Sequence, residues 1–336
     1  MKKMTFFEAI EDALRQAMKK DPRIIILGED AHSIHLNLFI EFGEKRIRPT
    51  PISESAFVGA AVGAAMAGLH PVVDIMIADF MPVAIDAIVN HAAKNKAFSG
   101  GKWNVPLVIR TACGGGYGDA GQHEQSLWGW VSHIPGINAV VPSNPADAGG
   151  LMLSSLQCED PVIFFEHKLL SELWLGFMGL GGRKTVSFDV PAEGASGNVP
   201  ARWEPIPLGK ACVKRKGTDV TMISLGVGVH RCLEAAAMLE KEDIQAGVID
   251  LRSVSPLDRE TILEEVAASG CLLVVDEDYQ HFGLSGELAA IVLEEGISFK
   301  YERVCTAQTI PYSRKMEEEI LPNSKRILAA ARKMLS

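Results

Sequence analysis

A chain of 336 residues, 47% hydrophobic and 22% charged, is longer than one ordinary core and too apolar for a disordered tract, so about two globular domains are expected. Its 33 basic and 42 acidic residues give a net charge of −9 with no long basic run, which argues against nucleic acid as a partner. Six scattered cysteines without a C-x-x-C pair fit a reducing cytoplasm better than a zinc ribbon or a disulfide scaffold.

Glu8, Glu11 and Asp12 interrupt the N-terminal stretch where a signal peptide needs an apolar run, so no export is expected. Thr5 and Glu8 have the spacing of a capping box, predicting a helix to about Lys20, where Pro22 stops it. Ile24 to Leu27 reads as a strand covered on both faces. Alternation then continues through helix 55–67, strand 72–77, helix 83–97, strand 106–110, helix 122–132, strand 139–141, helix 146–156 and strand 162–165. The apolar stretch Phe57 to Leu69 falls short of the ~20 residues that span a bilayer, so a buried helix and no membrane is expected. Residues 171–207 are rich in Gly and Pro without any period and read as a linker. A second series follows: strands 220–225, 246–250, 271–276 and 301–304, with helices 228–241, 258–269, 285–293 and 325–335. The pattern predicts an α/β chain of two doubly wound domains, 1–170 and 208–336.

Gly116, Gly118 and Gly121 form a G-x-G-x-x-G after a strand, but the next strand runs into Pro142-Ser143-Asn144 without the carboxylate that would bind a ribose. A loop at a small-molecule site is the better reading. No phosphate-cradling G-x-x-x-x-G-K-[ST] and no G-x-S-x-G occurs. His32 and His35 make only an H-x-x-H, and Asp276-Glu277-Asp278 is a charge cluster at a strand end; solvated loops are expected for both. His123 stands apart, placed at a predicted helix start beyond the carboxyl end of a strand, where open α/β sheets bind ligands. Glu54 leads into a helix whose Gly59 and Gly63 would let another helix approach. Physics alone leaves Glu54 with two readings: a charge that complements the helix dipole, or a functional carboxylate.

TPISESAFVGAAVGAAMAGLHPVVDIMIADFMPVAIDAIVNHAAK, VPLVIRT, the Gln122-His123 pair, HIPGINAVVPSNPADAGGL, DPVIFFEHK, VIDLRSVSPLD and VVDEDYQHFG resemble the β subunits of thiamine-diphosphate-dependent 2-oxo acid and acetoin dehydrogenases. The likeness covers most of the chain. It implies a transketolase-like pyrimidine-binding domain (1–170), a linker (171–207) and a transketolase-type C-terminal domain (208–336). It further implies thiamine diphosphate shared with an α subunit that holds the diphosphate and magnesium, in a heterotetramer with a second β subunit. Gly118-Asp119-Ala120 breaks the diphosphate motif, which fits the β role and predicts a chain inactive alone.

By resemblance, Glu54 would bond the ring nitrogen of the aminopyrimidine, Phe80 would stack on it and Met76 would pack beside it. His123 would face the small-molecule substrate and the lipoyl group of an acyltransferase component. The reaction implied is cleavage of a carbon–carbon bond next to a carbonyl, with acetoin favoured by IRT and EHK and pyruvate or a branched-chain 2-oxo acid as alternatives. From other classes come a transketolase-like subunit acting on sugar phosphates and a non-catalytic interaction subunit. Some relatives bind a structural potassium ion near SLQCEDP; here Cys158 stands where an acidic residue is expected, and Asp160 retains an oxygen ligand. The segment between Gly28 and Thr50 is shorter than in the family, and the linker is longer.

Overall fold

The structure, a computed structural model, describes residues 2–119, 121–179 and 186–336. Its strands are β1 (Lys2–Thr5), β2 (Ile24–Glu29), β3 (Ile47–Thr50), β4 (His70–Ile77), β5 (Val108–Cys113), β6 (Asn138–Val140), β7 (Val162–His167), β8 (Ser196–Val199), β9 (Cys212–Arg215), β10 (Val220–Ser224), β11 (Ala246–Asp250), β12 (Ser253–Ser255), β13 (Cys271–Tyr279) and β14 (Lys300–Thr306). A seven-stranded sheet runs β12-β6-β7-β5-β4-β2-β3 and a five-stranded sheet runs β14-β13-β10-β11-β9. Each is parallel except for one edge strand, β12 on the first and β9 on the second. Strands buried along their length, such as β5, β7 and all of β2 but Glu29, explain the continuous apolar runs, because helices cover both faces of the sheet. One core cluster extends from Val58 and Ile109 in the first series to Ile249 and Leu288 in the second, so the two sheets share apolar packing.

The capping box forms as expected: Thr5 N–H donates to Glu8 Oε2 at 2.9 Å, and Glu8 N–H returns to Thr5 Oγ1. Three local expectations change. The helix expected over 83–97 is a 3-10 turn over Ala78–Ala84 holding Pro82, a π turn over Ala87–Ala92 and a short helix Asn95–Phe98. Proline supplies no donor for a regular helical ladder there. The helix expected over 122–132 begins only at Trp128, so His123 sits in a turn and not at a helix start. The stretch 171–207 is not without structure: it carries a helix Glu172–Gly179, and its β8 pairs antiparallel with β1. Residues 180–185 of its glycine-rich run lie outside the described residues.

The helix Glu54–Met66 is only half covered by its own chain. Phe57, Val58, Ala61, Val62 and Ala65 are buried, while Gly59 and Gly63 are exposed, with nothing within 4 Å of where a Cβ would stand.

Candidate functional site

Loops at the carboxyl ends of β2, β4, β5 and β7 converge on one region, the place where parallel sheets present ligand crevices. Glu54 opens its helix with 8% of its surface exposed, and Ser53 before it supplies no side-chain cap. Its carboxylate makes no hydrogen bond or ion pair among the described residues. A buried acid at a helix start with no partner of its own has acceptor capacity in reserve. Glu29, at the end of β2, feels Glu54: burial first, then the charges of Asp30 and Glu54, push the Glu29 carboxyl up.

The Ser55 hydroxyl donates to the Val83 carbonyl, tying the helix start to the turn that carries Phe80. Phe80 is half-buried, and its ring meets the ring of His123 edge-on, with centroids 6.1 Å apart at 84°. Beside it, Asp79 Oδ1 accepts from Gln125 Nε2 at 2.6 Å, and Gln125 Oε1 accepts from Tyr279 O–H at 3.0 Å. Asp79 Oδ2 is buried without a hydrogen-bond partner among the described residues, and burial raises the carboxyl above its ordinary range. Neither Asp79 nor Gln125 was singled out from the sequence; the only available signal was their closeness in the chain to Phe80 and His123. Met76 lines a small cavity with Asp74, Arg110 and Trp174.

The glycine run after β5 is shaped by packing. Gly114 has φ +93°, and a Cβ there would stand 2.1 Å from His167 Nε2; Gly116 has φ +106° and would meet Leu169 at 2.8 Å. Only glycine satisfies both the backbone and the space. The loop then turns at Tyr117–Asp119 and delivers His123, whose Nδ1 lies 3.2 Å from the Asp119 carbonyl. Lys168, fully buried, donates to the His123 carbonyl at 2.5 Å and stands over the Tyr117 ring.

Of the two clusters expected in solvated loops, the acidic one is buried, while the histidine one is divided, with His32 half-buried on a short helix Ala31–Ile34 and His35 in the interior. His35 is fully enclosed, with Nδ1 2.5 Å from Glu11 Oε1 and Nε2 2.5 Å from Asp74 Oδ2. Arg110 continues the network to Asp74 at 3.2 Å and to Glu166 at 2.8 Å, its guanidinium over the Phe7 ring. Burial alone would neutralise His35, but the Asp74 and Glu11 carboxylates outweigh it and raise the imidazole to about 9. Asp276, Glu277 and Asp278 end β13 by docking on the first sheet's loops. They accept from Trp128 Nε1 at 2.9 Å, Gly115 N at 2.6 Å and Gly129 N at 2.7 Å, respectively, and His167 Nε2 lies 3.0 Å from Glu277. Burial lifts Asp276 to about 6; burial and the adjacent Asp276 lift Asp278 to about 8. Donors from a distant part of the chain make burial of these acids tolerable, which a local pattern does not reveal.

Asp160, where a potassium ion was considered, is gripped by Lys96 Nζ at 2.7 and 2.9 Å. An ammonium of the chain itself is thus the partner of that half-buried carboxylate. Among the described residues no group of three or more His, Cys, Asp or Glu is placed to hold a metal ion, and no helix is long and apolar enough to cross a membrane.

Comparison with known proteins accords with this arrangement. Residues 2–172 match the transketolase pyrimidine-binding domain, and residues 209–327 match the transketolase C-terminal domain. The chain is 38% identical to the acetoin:2,6-dichlorophenolindophenol oxidoreductase subunit beta of Cupriavidus necator, over 99% of this chain and 98% of that one. It is 36% identical to the 2-oxoisovalerate dehydrogenase subunit beta of Bacillus subtilis over 99% of each, and 36% identical to the mitochondrial pyruvate dehydrogenase E1 component subunit beta of Homo sapiens over 99% and 91%. In fold it is similar to a split-gene transketolase solved as an inactive beta4 tetramer, with a TM-score of 0.78 and 23% identity over 99% of this chain and 98% of that one. The chain belongs to the transketolase-like family, in the group of β subunits of acetoin and 2-oxo acid dehydrogenases.

Proposed function

We propose that this chain is the β subunit of the thiamine-diphosphate-dependent component of an acetoin or 2-oxo acid dehydrogenase complex, working with a separate α subunit. The observation that carries the reading is Glu54, a buried carboxylate with no partner among the described residues, tied through Ser55 to the turn bearing Phe80. Bound between the subunits, the cofactor would supply the carbon nucleophile and electron sink for cleaving a bond next to a carbonyl.

The residues present suit an aminopyrimidine. Glu54 holds the ring nitrogen, where a carboxyl group shares or donates a proton. Phe80 offers the flat apolar ring that a pyrimidine stacks on, with Met76 packing nearby. His123, edge-on to Phe80, faces the substrate and exchanges protons or hydrogen bonds with it as the acyl group leaves for a lipoyl-bearing acyltransferase. Magnesium belongs to the α subunit. The exposed small-residue face around Gly59 and Gly63 suits close helix contact with an α or a second β subunit, in a heterotetramer. Six unpaired cysteines support a cytoplasmic setting.

Glu54→Gln tests the assignment, because the change is isosteric. In the assembled complex with cofactor occupancy confirmed, exchange of the thiazolium C2 proton for deuterium should fall by ~10²-fold or more, as when a general acid–base group is removed. Stability should move by no more than ~1 kcal/mol, the scale of a helix-end charge. Wild-type exchange in a fully occupied variant would overturn the role.

A further inference from the structure

Three successive amides of the turn before His123 are held by two carboxylates from different parts of the chain. Tyr117 N–H and Asp119 N–H donate to Glu124 Oε1 at 2.9 and 3.0 Å, and Gly118 N–H between them donates to Glu317 Oε1 at 2.7 Å. Positive φ at Gly116 and Gly118 gives the turn the concave run of N–H groups that binds anions, and here the anions are the protein's own. Both glutamates are completely buried. Their carboxyl groups hold adjacent amides of one short turn, and among the described residues each keeps one oxygen, Oε2, that receives no N–H or O–H donor. Two carboxylates so placed cannot both stay charged, and one proton between them completes the bonding of both.

We infer that Glu124 and Glu317, joined by a shared proton, are positioning residues that fix the orientation and tautomer of His123. This rests on the role given to His123 above. The Asp119 carbonyl can only accept, so the turn they hold keeps the proton of His123 on Nδ1 and leaves Nε2 as the open acceptor. Lys168, coming from the end of β7, locks the other side of the turn through the His123 carbonyl. Among the described residues, the other charged or titratable groups around the pair include Asp119 and Tyr117 of the turn, Asp79 beyond Lys168, and Arg314, whose Nη1 lies 3.8 Å from Glu317 Oε2 and 3.7 Å from Glu318 Oε1. Burial first, then the bond to Glu317, raise Glu124 to about 9 against the pull of Lys168, so Glu124 keeps its proton through neutral pH.

The test uses the chain assembled with its α subunit and labelled with nitrogen-15 histidine, the His123 signals being identified by their loss in His123→Gln. Wild type and Glu124→Gln, whose amide reproduces the protonated acid, should both show the Nδ1–H tautomer, and Glu124→Ala should lose it. With acetoin as substrate and 2,6-dichlorophenolindophenol as electron acceptor, Glu124→Ala should lower kcat by about tenfold or more with KM within about twofold, as expected of a misaligned acid–base group. Glu124→Gln should stay within about threefold of wild type and lack the alkaline fall near pH 9 that the pair imposes. If Glu124→Ala does not assemble, Glu317→Gln, whose amide can donate to a charged Glu124, must move the same alkaline fall to lower pH. A wild-type tautomer in Glu124→Ala, or superimposable alkaline limbs in wild type and the Gln variants, would overturn the inference. Full activity of His123→Gln would instead remove the role of His123, and the tautomer change in Glu124→Ala would still uphold the positioning.

Discussion

Replacing His35 by Gln removes the one imidazole that stands between two buried carboxylates, and the effect should depend on pH in a specified direction. His35 rises from an ordinary 6.5 to about 9 in the fold, because the attraction of Asp74 and Glu11 exceeds the cost of burial. A group whose folded value lies above its unfolded value stabilises most where both states are protonated, and loses that contribution as pH climbs through the folded value. The stabilisation is therefore full below pH 6.5 and lost by about pH 9. At ~1.4 kcal/mol for each tenfold change in proton affinity, it amounts to about 3 kcal/mol. At pH 6 the variant should fall short of wild type by ~3–5 kcal/mol, since Glu11 and Asp74 lose a buried cation. By pH 9.5 the gap should narrow by about 3 kcal/mol. Urea unfolding of both proteins at half-unit pH steps, followed by tryptophan fluorescence, measures the gap directly. Comparing the two also cancels the contributions of other raised groups, such as Asp278 and Glu124. A gap that does not change with pH would mean that His35 is neutral in the fold and the network is held by Arg110 alone.

Gly114→Ala should destabilise the chain by ~4–7 kcal/mol, from ~1–2 for a left-handed alanine plus ~3–5 for the buried His167–Glu277 pair that its Cβ would displace. In a His167→Ala background only the backbone part should remain, and equal costs in both backgrounds by calorimetry would refute the packing argument. Phe80→Ala should weaken thiamine diphosphate binding to the αβ assembly by roughly tenfold, the worth of one stacked ring, in isothermal titration; an unchanged Kd would place the pyrimidine elsewhere.

Features that depend on neighbouring residues were legible in the sequence. The Thr5–Glu8 box, the β2 run and the boundaries of β11 follow from local bonding and from burial on both faces. Short edge strands were not legible: β1, β8, β9 and β12 hold no more than four residues each and exist because a distant partner pairs with them. Buried charge was misjudged for the same reason. Nothing near Asp276, Glu277 or Asp278 in sequence announces that Trp128, Gly115 and Gly129 will donate to them. Among the site residues, Glu54 and His123 stood out by position and chemistry, whereas Phe80 and Met76 came through family resemblance. Glu124 and Asp79 look like any surface acid until the turn and the sheet ends close around them.

The short strand β12 follows β11 of the second sheet, yet it pairs with β6 of the first, Ser253 opposite Val140 and Ser255 opposite Ala139. The Arg252 carbonyl accepts from Val141 N–H at 2.8 Å, and Ser255 Oγ donates to the Ile137 carbonyl at 2.9 Å, so the stitch is made by backbone and side chain alike. A chimera that exchanged the C-terminal half for that of a relative would therefore swap an edge strand of the N-terminal sheet as well. An N-terminal fragment ending within 171–207 would leave β6 as an unprotected edge, open to pairing with other chains. Exchange by halves is thus constrained: the two parts must match along this seam for the N-terminal sheet to close its edge.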